Sequence, residues 1–457
     1  MSPTIALFLT VLFIIFLFWM DSKKKHPNVS KGIIIPFFWM FFAGTRFFGY
    51  WINLGRSTQQ TVEFYLEGSP LDRSVFMLLI IIGLIILLKR NIKLGLLIKK
   101  NKFIFLYFLF GLVSVYWSDY SGVSFKRLIK ASGTIIMVLI ILTEEYPDEA
   151  MGIIIRRLAF IALPLSILFI KYYPKLGVTY FWGKPIYQGV TSHKNSLGQL
   201  CLISFIYFTW DFLYNKFKTL EEGSQTKPII YISIYPIIMW LLYKASSATS
   251  LLCIFISTFI LIFCRFLIQQ NKITKVFKYG LILLITGVSL ELIFNVSTVV
   301  INLLGRDPNL TTRVPMWFDL IKMSKNPIFG AGYESFWLGK RLEIIWSRWG
   351  MLHQAHNGYL ETFLNLGLIG LLLLVLQIFF GFLNLKRDIT KNSSLTILKL
   401  TFIVVIIIYN WTEASLFGIN NMWILLLFSI VDVSGQDEQI NSEGKDSNES
   451  LLQVTEG

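Results

Sequence analysis

"LHQAHNGYLETFLNLGLIG", Leu352–Gly370, carries two of the four histidines of the chain and then runs directly into a long apolar segment. Hydrophobic residues continue to about residue 384, where "NLKRDITKNSS" brings back basic and polar side chains. A run of this length covers a hydrocarbon core ~30 Å thick. The stretch therefore reads as a membrane helix with His353 and His356 at its lip. Similar runs of about 15–25 residues recur along most of the chain.

The composition agrees. Of 457 residues, 54% are hydrophobic, 40 are phenylalanine and only 15% are charged. A soluble chain of this length would carry more charge and clearer polar intervals. Continuous Leu/Ile/Phe runs also exclude a membrane β-barrel, whose strands alternate apolar and polar residues. The expected fold class is all-α, a polytopic helical membrane protein. Candidate spans fall near 4–20, 33–51, 75–89, 103–117, 129–143, 157–172, 197–214, 229–243, 246–268, 279–302, 357–384, 399–411 and 419–432. That gives about 12–13 transmembrane helices.

Charge sets the sidedness. The segments "DSKKKHPNVSK", "KRNIKLGLLIKKNK", "NKFKTLEEGSQTK", "RFLIQQNKITKVFK" and "NLKRDITKNSS" fall on alternate turns of the chain and are cytoplasmic by the positive-inside rule. The same rule accounts for the net charge of +15 without a nucleic-acid partner. The first span lacks a basic leader and a small-residue cleavage site, so it reads as a retained anchor with its N-terminus outside. The intervening loops then face out, including 172–196 and a large external loop, 303–355. Residues 1–432 form the membrane domain, and the polar, acidic 433–457 reads as a disordered cytoplasmic tail. The three cysteines lie in apolar spans without metal or disulfide spacing and read as small core residues. No inverted repeat is evident.

Three outward stretches hold chemistry. "GVTSHKNSLGQL" places His193, Lys194 and Asn195 just before a span. A lysine there can simply snorkel to headgroups, whereas a consecutive His-Lys-Asn between glycines suits a binding site. "LLGRDPNLTTRVPMWFDLIKMSKNPIFGAGYESFW" opens on turn chemistry, and "NLTT" reads as a helix cap. Arg313, Trp317 and Ile321 would share one face of the helix that follows. Arg306 and Arg313 fit either a local ion pair or lipid phosphate, or a multidentate grip on a diphosphate. The third stretch is the histidine pair. Its i, i+3 spacing suggests a metal, but it lacks the HExxH pattern and a third ligand, so no metal and no cofactor are expected. A neutral imidazole is suited to take a proton from a hydroxyl. His353 reads as a bystander or supporting residue, and Glu361, too far round the helix for an i+4 pair with His356, as a group that orients something nearby. Asp307, Asp319, Glu334 and Glu343 are scattered, unlike the paired carboxylates of glycoside hydrolysis.

The ordered blocks "YWSDYSGVSFKRLIK" (116–130), "GVTSHKNSLGQL" (189–200), "SSATSLL" (246–252), "LGRDPNLTTRVPMW" (304–317), "NPIFGAGYESFW" (326–337), "HNGYLETFLNLGLIG" (356–370) and "WTEASLF" (411–417) resemble the bacterial O-antigen ligase and polymerase superfamily, in its exopolysaccharide-polymerase-like branch. The resemblance implies a metal-independent glycosyltransferase of GT-C-like architecture in the bacterial inner membrane, with its active face periplasmic. Its donor would be an undecaprenyl-diphosphate-linked oligosaccharide and its acceptor a glycan or lipid, with a chain-length regulator as a further candidate partner. By the same resemblance Arg313 contacts the diphosphate and His356 is the base. His193, Lys194, Asn195 and Arg306 match further external blocks, and Trp317 joins them as a substrate-binding candidate beside Arg313. The family usually shows "TGR" where this chain has "TTR", Thr311–Arg313. A polymerase joining lipid-linked repeat units is the leading reading. The alternatives are a ligase moving finished glycan to lipid A–core and, from another class, a lipid-linked glycan flippase or transporter. A transporter would gather ionisable groups near mid-membrane, whereas these gather at one external face.

Overall fold

A computed structural model describes residues 1–22, 29–52, 69–181, 183–214, 227–280, 282, 313–324 and 326–435. The chain is a polytopic helical membrane protein. Six helices are long and apolar enough to cross a membrane, and among the described residues five shorter apolar helices accompany them. Ser121–Leu142, whose early turns carry Lys126, Arg127 and Lys130, packs among these helices. Twelve of the thirteen expected spans coincide with helices, and 279–302, apart from its first few residues, lies outside the described residues. The apolar windows of Pro147–Lys171 and Lys194–Tyr214 are 78% buried against 17% for Pro3–Ser22. The first two are therefore central, while the third is peripheral and turns Phe8, Ile15 and Trp19 outward, the surface that lipid would cover.

Side-chain contacts define two ends of the bundle. At one end Arg156 is buried between Asp21 (2.9 Å) and Glu149 (2.7 Å), Arg387 reaches Asp432 (2.7 Å), Asn101 donates to Asp432 O (2.8 Å) and Arg90 pairs with Glu144. Described parts of three basic loops, carrying Asp21, Arg90 with Lys100, and Arg387, meet here, as the charge pattern expects. The first residues of the expected tail are tied down at this end, where Lys100 Nζ donates to Ser434 Oγ (2.7 Å). Residues 436–457 lie outside the described residues.

Three departures from the sequence reading shape the opposite end. The expected span 33–51 is two helices, Ile34–Gly44 and Phe48–Ile52, broken where Arg46 turns inward. Its guanidinium donates to Thr191 O (2.9 Å) and Leu176 O (2.8 Å), and so holds the segment that leads to His193. That segment contains an antiparallel hairpin, Val178–Phe181 with Lys184–Tyr187, set in an otherwise helical chain. The third departure is the span read as continuous over 357–384. The helix Gly358–Asp388 breaks at Gly367 (φ 65°, ψ −163°), a conformation open essentially to glycine alone. "NPIFGAG" docks into the break: Ala331 N and Gly332 N donate to Leu364 O and Asn365 O (3.1 and 2.9 Å), and Leu368 N donates to Pro327 O (2.9 Å). Backbone groups freed by the break are thus paired by protein, as irregular backbone at a membrane requires.

The described part of the large loop has its own small core. Helices Arg313–Lys322 and Gly339–Trp349 pack Met316, Leu320, Leu342 and Ile345 against Phe336 and Leu364. Asp319 accepts from Trp349 Nε1 (2.9 Å) and pairs with Arg348 (3.0 Å), joining the two helices.

Candidate functional site

The histidine turn is built before its histidines are aimed. Asn357 caps the following helix by accepting from Tyr359 N and Leu360 N, both at 3.0 Å. Ala355 is held from both sides: its N–H donates to Glu361 Oε2 (2.9 Å) and its carbonyl accepts from Trp317 Nε1 (2.7 Å). Glu361 thus orients the turn that carries the histidines, and Trp317 supports it from the loop helix. Between these anchors His356 takes φ 50°, left-handed backbone that non-glycine residues rarely adopt. Gly358 N donates to Asn410 O (2.8 Å), and Asn357 Nδ2 to Trp411 O (3.2 Å). The turn therefore faces the segment after helix Ser393–Tyr409.

Glu413 is where the blocks meet. Asn195 Nδ2 donates to Glu413 Oε1 at 2.6 Å, Arg313 Nη2 stands 3.7 Å from the same oxygen, and His356 Nδ1 is 3.6 Å from Oε2. Arg313 Nη1 donates to Thr412 O (2.6 Å), while Thr412 Oγ1 bonds Thr249 Oγ1 of the "SSATS" block (2.6 Å). Tyr409 Oη donates to Asn195 O (3.3 Å). His193 Nδ1 accepts from Asn195 N (3.3 Å). His193 is exposed at the surface, yet the protein beside its ring withholds part of its hydration and lowers its pKa to about 4. Glu413 opposes that shift, and His356, Lys194 and His353 reinforce it. Lys194 opens the helix Lys194–Tyr214, half-buried beside His193.

The structure thus brings His193, Lys194, Asn195, Arg313 and His356 to one end of the bundle, with Trp317 supporting the turn behind them. Arg306 and the expected "NLTT" cap lie outside the described residues. The sequence reading left Glu413 off its site. Its signal was an acidic residue inside the short block "WTEASLF", directly after an apolar span.

A cavity of about 260 Å³ adjoins this cluster, lined by residues that include Arg127, Glu334, His353, Gln354, Glu361 and Phe417. His353, read from sequence as a bystander or supporting residue, lines this cavity. Glu334 and Glu361, distant in sequence, line the same space. Glu334 takes left-handed backbone (φ 47°), its own carbonyl accepts from Arg127 Nη1 (2.7 Å), and burial raises its carboxyl above the usual range against the pull of Arg127 and Lys130. The loop around it is pinned to the bundle: Tyr333 N donates to Ser114 Oγ (3.0 Å), Ser124 Oγ donates to Tyr333 O (2.6 Å), and Ser118 bonds Ser335 (2.8 Å).

Fold and site define a multi-pass membrane protein with a half-buried cluster of arginine, histidine, asparagine and glutamate at one end. Residues 231–375 match the family model described as O-Antigen ligase, a region that includes Arg313, Trp317, His353 and His356. The chain is 25% identical over 305 residues to the exopolysaccharide production protein ExoQ of Rhizobium meliloti (strain 1021), covering 63% of this chain and 66% of that protein. By these matches the chain is similar to the O-antigen ligase/polymerase superfamily. No solved structure matches it.

Proposed function

We propose that the chain is a membrane glycosyltransferase of surface-polysaccharide biosynthesis that joins undecaprenyl-diphosphate-linked glycan units at the periplasmic face of the inner membrane. The observation that carries this reading is the convergence of Arg313, Asn195 and His356 on Glu413. Arg313, tethered through one nitrogen to Thr412 O, is placed to meet the diphosphate as charge develops on the leaving group. Glu413 beside His356 Nδ1 favours the tautomer with its proton on that nitrogen and leaves Nε2 to accept a proton from the attacking sugar hydroxyl. The 3.6 Å separation is longer than a hydrogen bond, as is common before substrate closes a site. Asn195 fixes the carboxylate from the other side, and His193 and Lys194 add polar groups at the rim. The helix that follows His356 would set this base near the depth of a lipid-linked diphosphate.

Polymerisation of repeat units is favoured over ligation to lipid A–core by the similarity to an exopolysaccharide production protein. The test replaces Arg313 or His356 by alanine in cells that depend on this chain for their surface polymer. Loss of long chains with protein still in the membrane is expected. A normal chain-length ladder from either variant would remove the assignment.

A further inference from the structure

A second cavity, an open groove of about 190 Å³, shares no residue with the Glu413 cluster and lies between Pro3–Ser22, Pro147–Lys171 and Lys227–Ala245. Leu9 and Phe13 form one wall, Pro164, Ile167 and Leu168 a second, and Ile237 a third. Thr10, also in the wall, donates its hydroxyl back to Ala6 O (2.8 Å), so its proton is not free for the groove. From Pro164 to Tyr172 the groove follows ~12 Å of helix axis, most of the ~15 Å depth of one leaflet's hydrocarbon.

One end of this groove is cationic. Tyr172 directly follows Lys171, and Ile237 stands one helical turn before Trp240. Lys171 Nζ lies 5.2 Å from the centre of the Trp240 ring, and Lys244 Nζ lies 5.7 Å from the same ring. Among the described residues neither lysine has a carboxylate partner, and the ion pairs engage other basic side chains. Two ammonium groups held at one ring repel each other, and an anion between them relieves that cost.

An apolar chain with one anionic headgroup matches both halves of this site. We propose that it holds an anionic phospholipid of the leaflet on the Glu413 side, with its phosphate between Lys171 and Lys244 and an acyl chain in the groove. Lysines supply point charges that suit a single phosphodiester, without the planar fork by which an arginine grips a diphosphate. The lipid-linked donor is therefore the poorer occupant. Lys244 Nζ also stands 4.9 Å from the Tyr187 ring, at the end of the hairpin that leads to His193. The headgroup thus lies beside the support of the reaction site and not within it.

The test offers the full chain, purified in detergent, equal amounts of phosphatidylglycerol and phosphatidylcholine, and reads the retained lipid by native mass spectrometry. The native chain is expected to retain the anionic lipid about tenfold over the zwitterionic one. Lys171→Gln with Lys244→Gln removes both charges and should bring the two lipids within about twofold, with the melting temperature of the lipid-free protein unchanged. Lys171→Arg with Lys244→Arg should keep the preference. Leu9→Trp, at an exposed position on the groove wall, should lower retention of both lipids. Equal retention by the native chain, or a preference undiminished in the glutamine variant, would overturn the site. Displacement of phosphatidylglycerol by an equimolar amount of undecaprenyl phosphate would overturn it too, by giving the groove to a polyprenyl lipid.

Discussion

Replacing Glu413 by glutamine keeps the shape of the side chain and an oxygen for Asn195 Nδ2, now 2.6 Å from the carboxylate, but removes the charge. Two partners lose it: Arg313 at 3.7 Å and, in the proposed reaction where it would hold the sugar proton, His356 at 3.6 Å. Unit charges about 4 Å apart attract by roughly 4 kcal/mol at an effective dielectric of ~20. The side chains of Arg313 and His356 retain 25% and 18% exposure, so solvent and salt reduce that figure. Halving it leaves about 2 kcal/mol of lost stabilisation for the imidazolium, or about thirtyfold in rate. The assay is incorporation of labelled lipid-linked repeat units into polymer by membranes with equal amounts of each protein. Glu413→Gln should lower the maximal rate by that factor with no change in melting temperature. Glu413→Asp should recover part of it, since the charge returns at a longer reach. Full activity of Glu413→Gln would refute a positioning role for the carboxylate.

Gly367→Ala should cost about 1–3 kcal/mol from backbone conformation alone, and more because the new methyl would run into Ile328 O. A lower melting temperature and undocking of the 326–332 segment, seen as faster amide exchange, are expected; an unchanged melting temperature would contradict the broken helix. His193 has its pKa lowered from 6.5 to about 4, so between those values the unfolded chain binds more protons than the folded one. Stability contributed here is present above about pH 6.5 and is lost as pH falls toward 4, a slope that His193→Gln should flatten in thermal melts. A single cysteine at the exposed Lys340 should react with a membrane-impermeant reagent in intact cells, and protection there would invert the topology.

Most of the helical scaffold was legible in the chain because hydropathy is a local property. Lipid requires each spanning segment to satisfy its own backbone and to be apolar over its whole length. What was not legible were the breaks. "FLNLGLIG" scores as uninterrupted span, and nothing within it announces that Gly367 accepts the "NPIFGAG" backbone from outside the helix. The same holds at Arg46, an isolated charge in an aromatic run whose partners are carbonyls more than a hundred residues away.

The site divides along the same line. Arg313, His356 and the His193–Asn195 block were identifiable from residue type, position at a span's mouth and ordered resemblance. Their common partner was not. Glu413 lies 57 residues beyond His356 and 218 beyond Asn195, and no periodicity connects them. The pairing of Glu334 with Glu361 across one cavity was likewise invisible, since the loop glutamate reads as one of several scattered acids. The sequence by itself determined the apolar or polar character of each segment, the helical class and the charge of each loop, because each follows from side chains within one run. Only the tertiary structure decided which mouths face each other and which carboxylate stands between arginine and imidazole. Charge interactions fall off over a few ångströms of space and take no account of distance along the chain.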